Sequence, residues 1–195
     1  MNSLRKKITL FFLLLAFTYA GAQNFDTRLL RSINDQSTRN DKLWLGITYS
    51  VTPVAIATPI VLYTFGYLHY LPDGKRKSYV AIGGWALNGL LTVGLKYGIN
   101  RERPFVSDPN IYKKTKAGPY SFPSGHTSLA FVTATNITLA CPKWYVAVPA
   151  YLWAGSVGYS RMHLGVHYPS DVLAGAIIAT LSGFVAYKVN QRISR

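Results

Sequence analysis

Long apolar runs separated by short polar loops are what most limits the folds open to this chain. Tyr49–Tyr70, Tyr79–Leu95, Thr127–Cys141, Trp144–Tyr159 and Asp171–Tyr187 are dominated by aliphatic, small and aromatic residues. At roughly 15 to 22 residues, such runs are short to adequate for a hydrocarbon core about 30 Å thick. A segment in that medium must satisfy its own backbone hydrogen bonds, which makes a helix the spanning element at these lengths. Charged residues are only 14% of the chain and hydrophobic ones 49%, whereas a soluble domain carries roughly 25% charge. The expectation is a single all-α domain, an integral membrane helical bundle with about five transmembrane helices, or six if the N-terminal segment is retained. Pro53 and Pro59 interrupt the first run, which membrane helices tolerate, and Gly83, Gly84 and Gly89 in the second suit close helix packing. Thr127–Cys141 can also be read as a helix buried in the core.

Arg5, Lys6 and Lys7 precede an apolar run from Ile8 to Phe17, and Ala20-Gly21-Ala22 follows. That pattern reads as a signal peptide over residues 1–22, with an uncleaved N-terminal anchor as the alternative. Residues 23–195 then form the membrane-embedded domain and start on the outer side. Over residues 24–42, Phe25, Leu29, Leu30 and Ile33 fall on one helical face among charged neighbours, predicting an amphipathic helix in the outer interface.

The formal net charge is +14. The apolar runs argue against nucleic acid as the partner; anionic membrane lipids or phosphorylated substrates fit better. Only seven residues are acidic, and too few lie near the polar clusters to clamp two metal ions. Phosphoryl chemistry here should need no metal. The lone Cys141 excludes an intrachain disulfide.

An outer start places the Lys75-Arg76-Lys77 loop inside, residues 96–126 outside, Pro142-Lys143 inside, residues 160–170 outside and the basic tail inside. Two of the three inner segments are clearly basic, as the positive-inside rule requires. The outer loop, with Lys96, Arg101, Arg103, Lys113, Lys114 and Lys116, breaks it. Phosphate binding would give those cations a reason; long loops escaping the rule is the other reading.

Three polar clusters fall on that outer face. In the first, Lys96 and Arg103 can aim at one anion, as a point charge and a two-pronged fork, or can be interfacial cations reaching for water. In the second, Ser124 is placed to cap the following helix, Gly125 permits close backbone approach, and a helix start attracts anions. His126 there can protonate a leaving oxygen, or the group is a plain cap beside an interfacial histidine. The third, Ser160 to Asp171, holds Arg161, His163, His167 and Asp171. A neutral imidazole becomes a nucleophile when a carboxylate holds its other nitrogen, which nominates His167 with Asp171. An ordinary polar loop between membrane helices is the alternative. His163 reads as structural, and His69 lies at the opposite face.

Together, Lys96 with Arg103-Pro104, Pro123-Ser124-Gly125-His126, and Ser160-Arg161 with His167 and Asp171 resemble the type 2 phosphatidic acid phosphatase family, which includes vanadium haloperoxidases. The resemblance implies phosphate binding by Lys96, Arg103, Ser124, Gly125 and Arg161. It implies His126 as general acid, His167 as nucleophile, Asp171 as its partner, a phosphohistidine intermediate, and neither metal nor other cofactor. The implied substrate is a lipid phosphate: a polyprenyl diphosphate, phosphatidylglycerol phosphate, phosphatidate or a lipid A phosphate, met at the periplasmic or exterior face of a bacterial-type inner membrane. A vanadate-dependent haloperoxidase and a non-catalytic phospholipid carrier are the alternative functions.

Overall fold

A computed structural model describes residues 25–193. The leader reading of residues 1–22 lies outside them. The described chain is all-α, with no strand among those residues. A short helix α1 spans 25–33. It is followed by α2 (Asp41–Tyr49), α3 (Val51–Tyr67), α4 (Gly74–Ile99), α5 (Pro104–Ser107), α6 (Gly125–Ala140), α7 (Trp144–His163) and α8 (Pro169–Ile193).

Helices α2 and α3 form one run, because Ser50 between them keeps helical dihedrals. The interruption has a local cause: Pro53 has no N–H to give the carbonyl four residues back, at Tyr49. Three stretches are long and apolar enough to cross a membrane: Asp41–Tyr67, Gly74–Ser107 and Pro169–Ile193. The other two expected spans, α6 and α7, are not among them. For α6 the reason is length. It has 16 residues, about 24 Å at 1.5 Å each, and it packs against α3, α4, α7 and α8. A helix enclosed by its neighbours need not match the full thickness of the bilayer by itself.

The bundle is apolar outside and partly polar within. Ile56, Ile60 and Phe65 of α3, Leu90 and Val93 of α4, and Leu173, Ile177 and Leu181 of α8 are exposed, as lipid-facing residues should be. Inside, Val51, Ala130, Ala134, Ala154 and Val157 form the main core cluster, where alanine brings α6 and α7 close. Along the α4–α6 seam, Trp85 Nε1 donates to Thr133 at 3.2 Å, Ser128 Oγ to Asn88 at 2.6 Å, and Asn136 Nδ2 to the Ala81 carbonyl at 3.1 Å. Such interhelical bonds contribute about 0.6 kcal/mol each and fix the register of the two helices.

The N-terminal segment differs from expectation. Its helix ends at residue 33, residues 34–40 are irregular, and α2 begins at Asp41. The buried stripe is Asp26, Leu30 and Asn34, while Phe25 is 60% exposed. Polar partners in the loops explain this choice of face. Asn34 Nδ2 donates to the carbonyls of Tyr112 and His163, and its Oδ1 accepts from Tyr112 N–H; Arg31 pairs with Asp108 at 2.7 Å. Helix α1 is therefore docked on the loops that carry the polar clusters.

Candidate active site

The end of α4, the starts of α6 and α8, and the end of α7 meet at one end of the bundle. Backbone bonds knit the two long loops there: Lys114 N–H to Leu164, Ser121 N–H to Arg101, and Ser124 N–H to Asp171. Gly165 makes the turn after α7. Its φ is +71°, and a Cβ there would lie 2.3 Å from the Tyr112 carbonyl oxygen, so only glycine fits. Gly175 does the same for helix packing, since a Cβ would come within 2.8 Å of the Ser124 carbonyl.

The loops and helix ends enclose a pocket of about 230 Å³ lined by Lys96, Arg103, Lys116, Gly125, His126, Arg161 and His167 together with residues 117–120. No carboxylate lines it. Lys96, on the last turn of α4, donates to the carbonyls of Tyr120 and Pro123 at 3.1 and 3.0 Å. Arg103 has the extended backbone favoured before proline. Its Nε donates to Gly118 O and its Nη1 to Val166 O, both at 2.7 Å. Arg161 is 3% exposed; one Nη1 bond to Thr48 at 2.9 Å holds it, and its Nε has no partner. A buried cation with an unpaired donor can accept an anion as its partner.

His167 is almost fully buried. Arg103 Nη1 lies 3.1 Å from its Nε2. Arginine has only donors, so Nε2 must be the acceptor and the proton sits on Nδ1. Nδ1 faces Asp171 Oδ2 at 3.5 Å, long for a hydrogen bond. Burial, reinforced by the Arg103 and Arg161 charges against the opposing pull of Asp171, pushes the His167 pKa down to about 3. The ring is neutral at working pH, with its lone pair turned into a cationic pocket.

Asp171 is fully buried in the first turn of α8. Its Oδ2 accepts the Ser121 hydroxyl and, at 2.9 Å, the Tyr168 N–H, while its Oδ1 accepts Arg101 Nη1 at 2.7 Å. The structure thus gathers Lys96, Arg103, Gly125, His126, Arg161 and His167 around one pocket, with Asp171 behind the nucleophile candidate. Ser124 differs. It occupies the N-cap position of α6 but makes no side-chain cap bond; its buried hydroxyl pairs with Thr127 at 2.8 Å, and it does not line the pocket. His163 points away, bonded to Asp41 at 2.9 Å and stacked on Tyr159, as its structural reading expects.

Sequence reasoning passed over Arg101, Ser121, Tyr168 and Asp26 in this site. The scarcity of carboxylates was the available signal: a buried acidic residue in so basic a chain must have a cationic partner.

Comparison with known proteins agrees with this geometry. A family model described as the PAP2 superfamily matches residues 77–195. A lipid A 4'-phosphatase of Bacteroides thetaiotaomicron is 34% identical over 98 residues, covering 48% of this chain and 44% of the relative. An undecaprenyl-diphosphatase of Sulfolobus acidocaldarius is 34% identical over 95 residues, covering 48% and 46%. The matched region is thus about half the length of these curated relatives. Among solved structures, LpxE of Aquifex aeolicus superimposes with a TM-score of 0.73 at 29% identity, covering 83% of this chain and 93% of that one. A transmembrane PAP2-type phosphatidylglycerolphosphate phosphatase of Bacillus subtilis does so at 0.72 and 26% identity, covering 95% of both. With its three clusters converging on one pocket inside a membrane bundle, and with the family model matching residues 77–195, this integral membrane chain belongs to the PAP2 superfamily.

Proposed function

We propose that this protein is a lipid phosphatase that removes a phosphate from a membrane lipid phosphate or diphosphate through a phosphohistidine intermediate, without metal. The observation that carries the reading is the setting of His167: Nε2 lies 3.1 Å from Arg103 Nη1 on the cationic side, and Asp171 Oδ2 lies 3.5 Å behind Nδ1. A carrier needs the cations but not that arrangement.

In the proposed reaction, phosphate oxygens take the donors of Lys96, Arg103 and Arg161 and the backbone at Gly125. Phosphate is a better acceptor than imidazole, so Arg103 leaves Nε2 for it. Nε2 then attacks phosphorus, the N–P bond forms, and the P–O bond to the lipid breaks. The bound phosphate anion offsets the neighbouring cations and favours a protonated His126, which gives that proton to the departing oxygen. The His167 cation is stabilised by Asp171, whose contact to Nδ1–H shortens as charge develops. Water, deprotonated by His126, attacks phosphorus, the N–P bond breaks, and phosphate leaves. The side-chain cations do the work a metal pair does elsewhere. Ser124 acts by shaping the start of α6, not by touching phosphate.

Five helices cross the membrane in this reading, with α6 and α7 completing the three long spans. The pocket faces the outer side, at headgroup height, so a substrate keeps its tails in lipid. Lipid A phosphate, undecaprenyl diphosphate and phosphatidylglycerol phosphate are the substrate classes that the relatives' names suggest; phosphatidate is the fourth candidate. The test is phosphate release from these four lipids by the purified protein in excess chelator. His167→Ala should abolish release and prevent trapping of a phosphorylated chain from radiolabelled substrate. Full turnover by His167→Ala would remove the nucleophile assignment, and a strict metal requirement would remove the metal-free mechanism.

A further inference from the structure

Arg101 stands between two carboxylates. Its Nη1 donates to Asp171 Oδ1 and to Ser170 Oγ, both at 2.7 Å, and its Nη2 donates to Asp26 Oδ2 at 2.9 Å. Both carboxylates are buried and the guanidinium between them nearly so: Asp26 is 6% exposed, Arg101 12% and Asp171 0%. The guanidinium also lies 4.0 Å from the centre of the Tyr168 ring. Asp26 in turn accepts the Ser170 N–H at 3.0 Å and the Ser170 hydroxyl. The first turn of α8, which carries Asp171, is thereby fastened to α1, an element outside all three polar clusters.

The charges matter as much as the geometry. The catalytic cycle proposed above makes His167 a cation, and negative charge behind the ring stabilises it. Arg101 alone would cancel Asp171, leaving a neutral pair behind the ring. With Asp26 the cluster is minus, plus, minus, and its net charge is −1. We propose that Asp26 and Arg101 are positioning residues: Arg101 fixes the orientation of Asp171, and Asp26 restores the negative charge that Arg101 would otherwise remove. The N-terminal helix is then a working part of the active site. This rests on the phosphohistidine reading, because a site that only binds phosphate has no imidazolium to stabilise.

The charge argument makes a prediction that a purely structural role does not. Asp26→Asn leaves a net charge of zero and should lower kcat on the order of ten- to a hundred-fold, the range seen for outer partners of functional groups. KM should be unchanged, since Lys96, Arg103 and Arg161 are untouched. Asp26→Glu keeps the charge and should recover most of the rate. Asp26→Asn/Arg101→Gln removes one charge of each sign, returns the net to −1, and should turn over faster than Asp26→Asn. If Asp26 merely holds the fold, the double variant will be slower than either single one, and melting temperature will fall in step with rate.

The measurement is kcat and KM of wild type, Asp26→Asn, Asp26→Glu, Arg101→Gln and the double variant in detergent, on the fastest lipid of the chelator panel, with a thermal melt of each. A double variant slower than Asp26→Asn overturns the proposal, as does an Asp26→Asn protein with wild-type kcat. Should Asp26→Asn fail to fold, the comparison moves to the Arg101→Gln background. There the same substitution should cost less than a factor of about three, because Asp171 is no longer cancelled; a larger loss overturns the proposal. A wild-type chain that releases no phosphate, or a fully active His167→Ala, would instead overturn the reading on which this one rests.

Discussion

Arg161 offers the sharpest test of the site, because it should make opposite contributions to stability and to function. It is 3% exposed, shares a pocket with Lys96 and Arg103, and has one hydrogen bond and an unpartnered Nε. The effective penalty for a buried, poorly paired ion is several kcal/mol. Replacing it by methionine removes that penalty and the repulsion from its neighbours. The loss of the Thr48 bond, about 1.5–3 kcal/mol for a charged group, offsets part of the gain. The net expectation for Arg161→Met is a ligand-free protein more stable by about 1–2 kcal/mol, a rise of roughly 2–8 °C in melting temperature for a chain of this size.

With ligand the order reverses. At a phosphate or vanadate concentration of 100 Kd the wild type should gain about 2.7 kcal/mol. Losing one anion-directed donor costs about 2.7–4 kcal/mol, or on the order of a hundred- to a thousand-fold in affinity for the reacting group. At the same ligand concentration the variant should then gain only about 0.4 kcal/mol or less, and its kcat/KM should fall by a similar factor. Thermal melts of detergent-purified protein at one scan rate, with and without vanadate, read both quantities. A variant that melts lower than wild type without ligand and keeps the full vanadate shift would refute the assignment of Arg161 as a phosphate ligand.

The depressed pKa of His167 carries a stability signature. Its unfolded value is about 6.5 and its folded value about 3, so the unfolded chain binds the extra proton between them. Stability should therefore decline as pH falls from about 6.5 towards 3, and His167→Asn should flatten that limb of a melting-temperature profile. Gly165→Ala should destabilise by about 1–2 kcal/mol from its left-handed backbone alone, and by more because its Cβ meets the Tyr112 carbonyl; a melt within 1 °C of wild type would contradict the close packing. His163→Gln, which keeps a donor for Asp41, should lower the melting temperature while retaining most phosphate release. A collapse of release at unchanged stability would make His163 part of the chemistry.

Much of this pocket was legible in the sequence because its lining residues sit in short stretches at helix ends. Lys96, Arg103, Gly125, His126, Arg161 and His167 needed only the topology to bring their stretches to one face. What could not be read was pairing across long separations. Arg101 lies inside the first cluster, but its partners Asp26 and Asp171 are 75 and 70 residues away, and no local pattern joins them. The length of α1 failed for the same reason. Phe25, Leu29, Leu30 and Ile33 mark a good apolar stripe, but the loops offered hydrogen bonds to Asp26 and Asn34, and these decided which face turned inward. Ser124 shows the converse: its position was right, and its hydroxyl found Thr127 instead of a helix N–H.

The partners of the cations also sort them by task. Lys96 and Arg103 are held by carbonyl oxygens, which fix their direction but leave their charge intact. Arg161 is held by a hydroxyl, and its Nε has no partner. Arg101, two residues from Arg103, is held by two carboxylates that consume its charge. A buried cation with neutral partners keeps its field for a ligand, whereas one between carboxylates is spent inside the protein. The four are alike in sequence and differ only in what the fold places against them. On that criterion the seven acidic residues matter as much as the basic ones: by keeping carboxylates off the pocket wall and placing Asp171 behind His167, the fold aims positive charge into the pocket and negative charge at the imidazole.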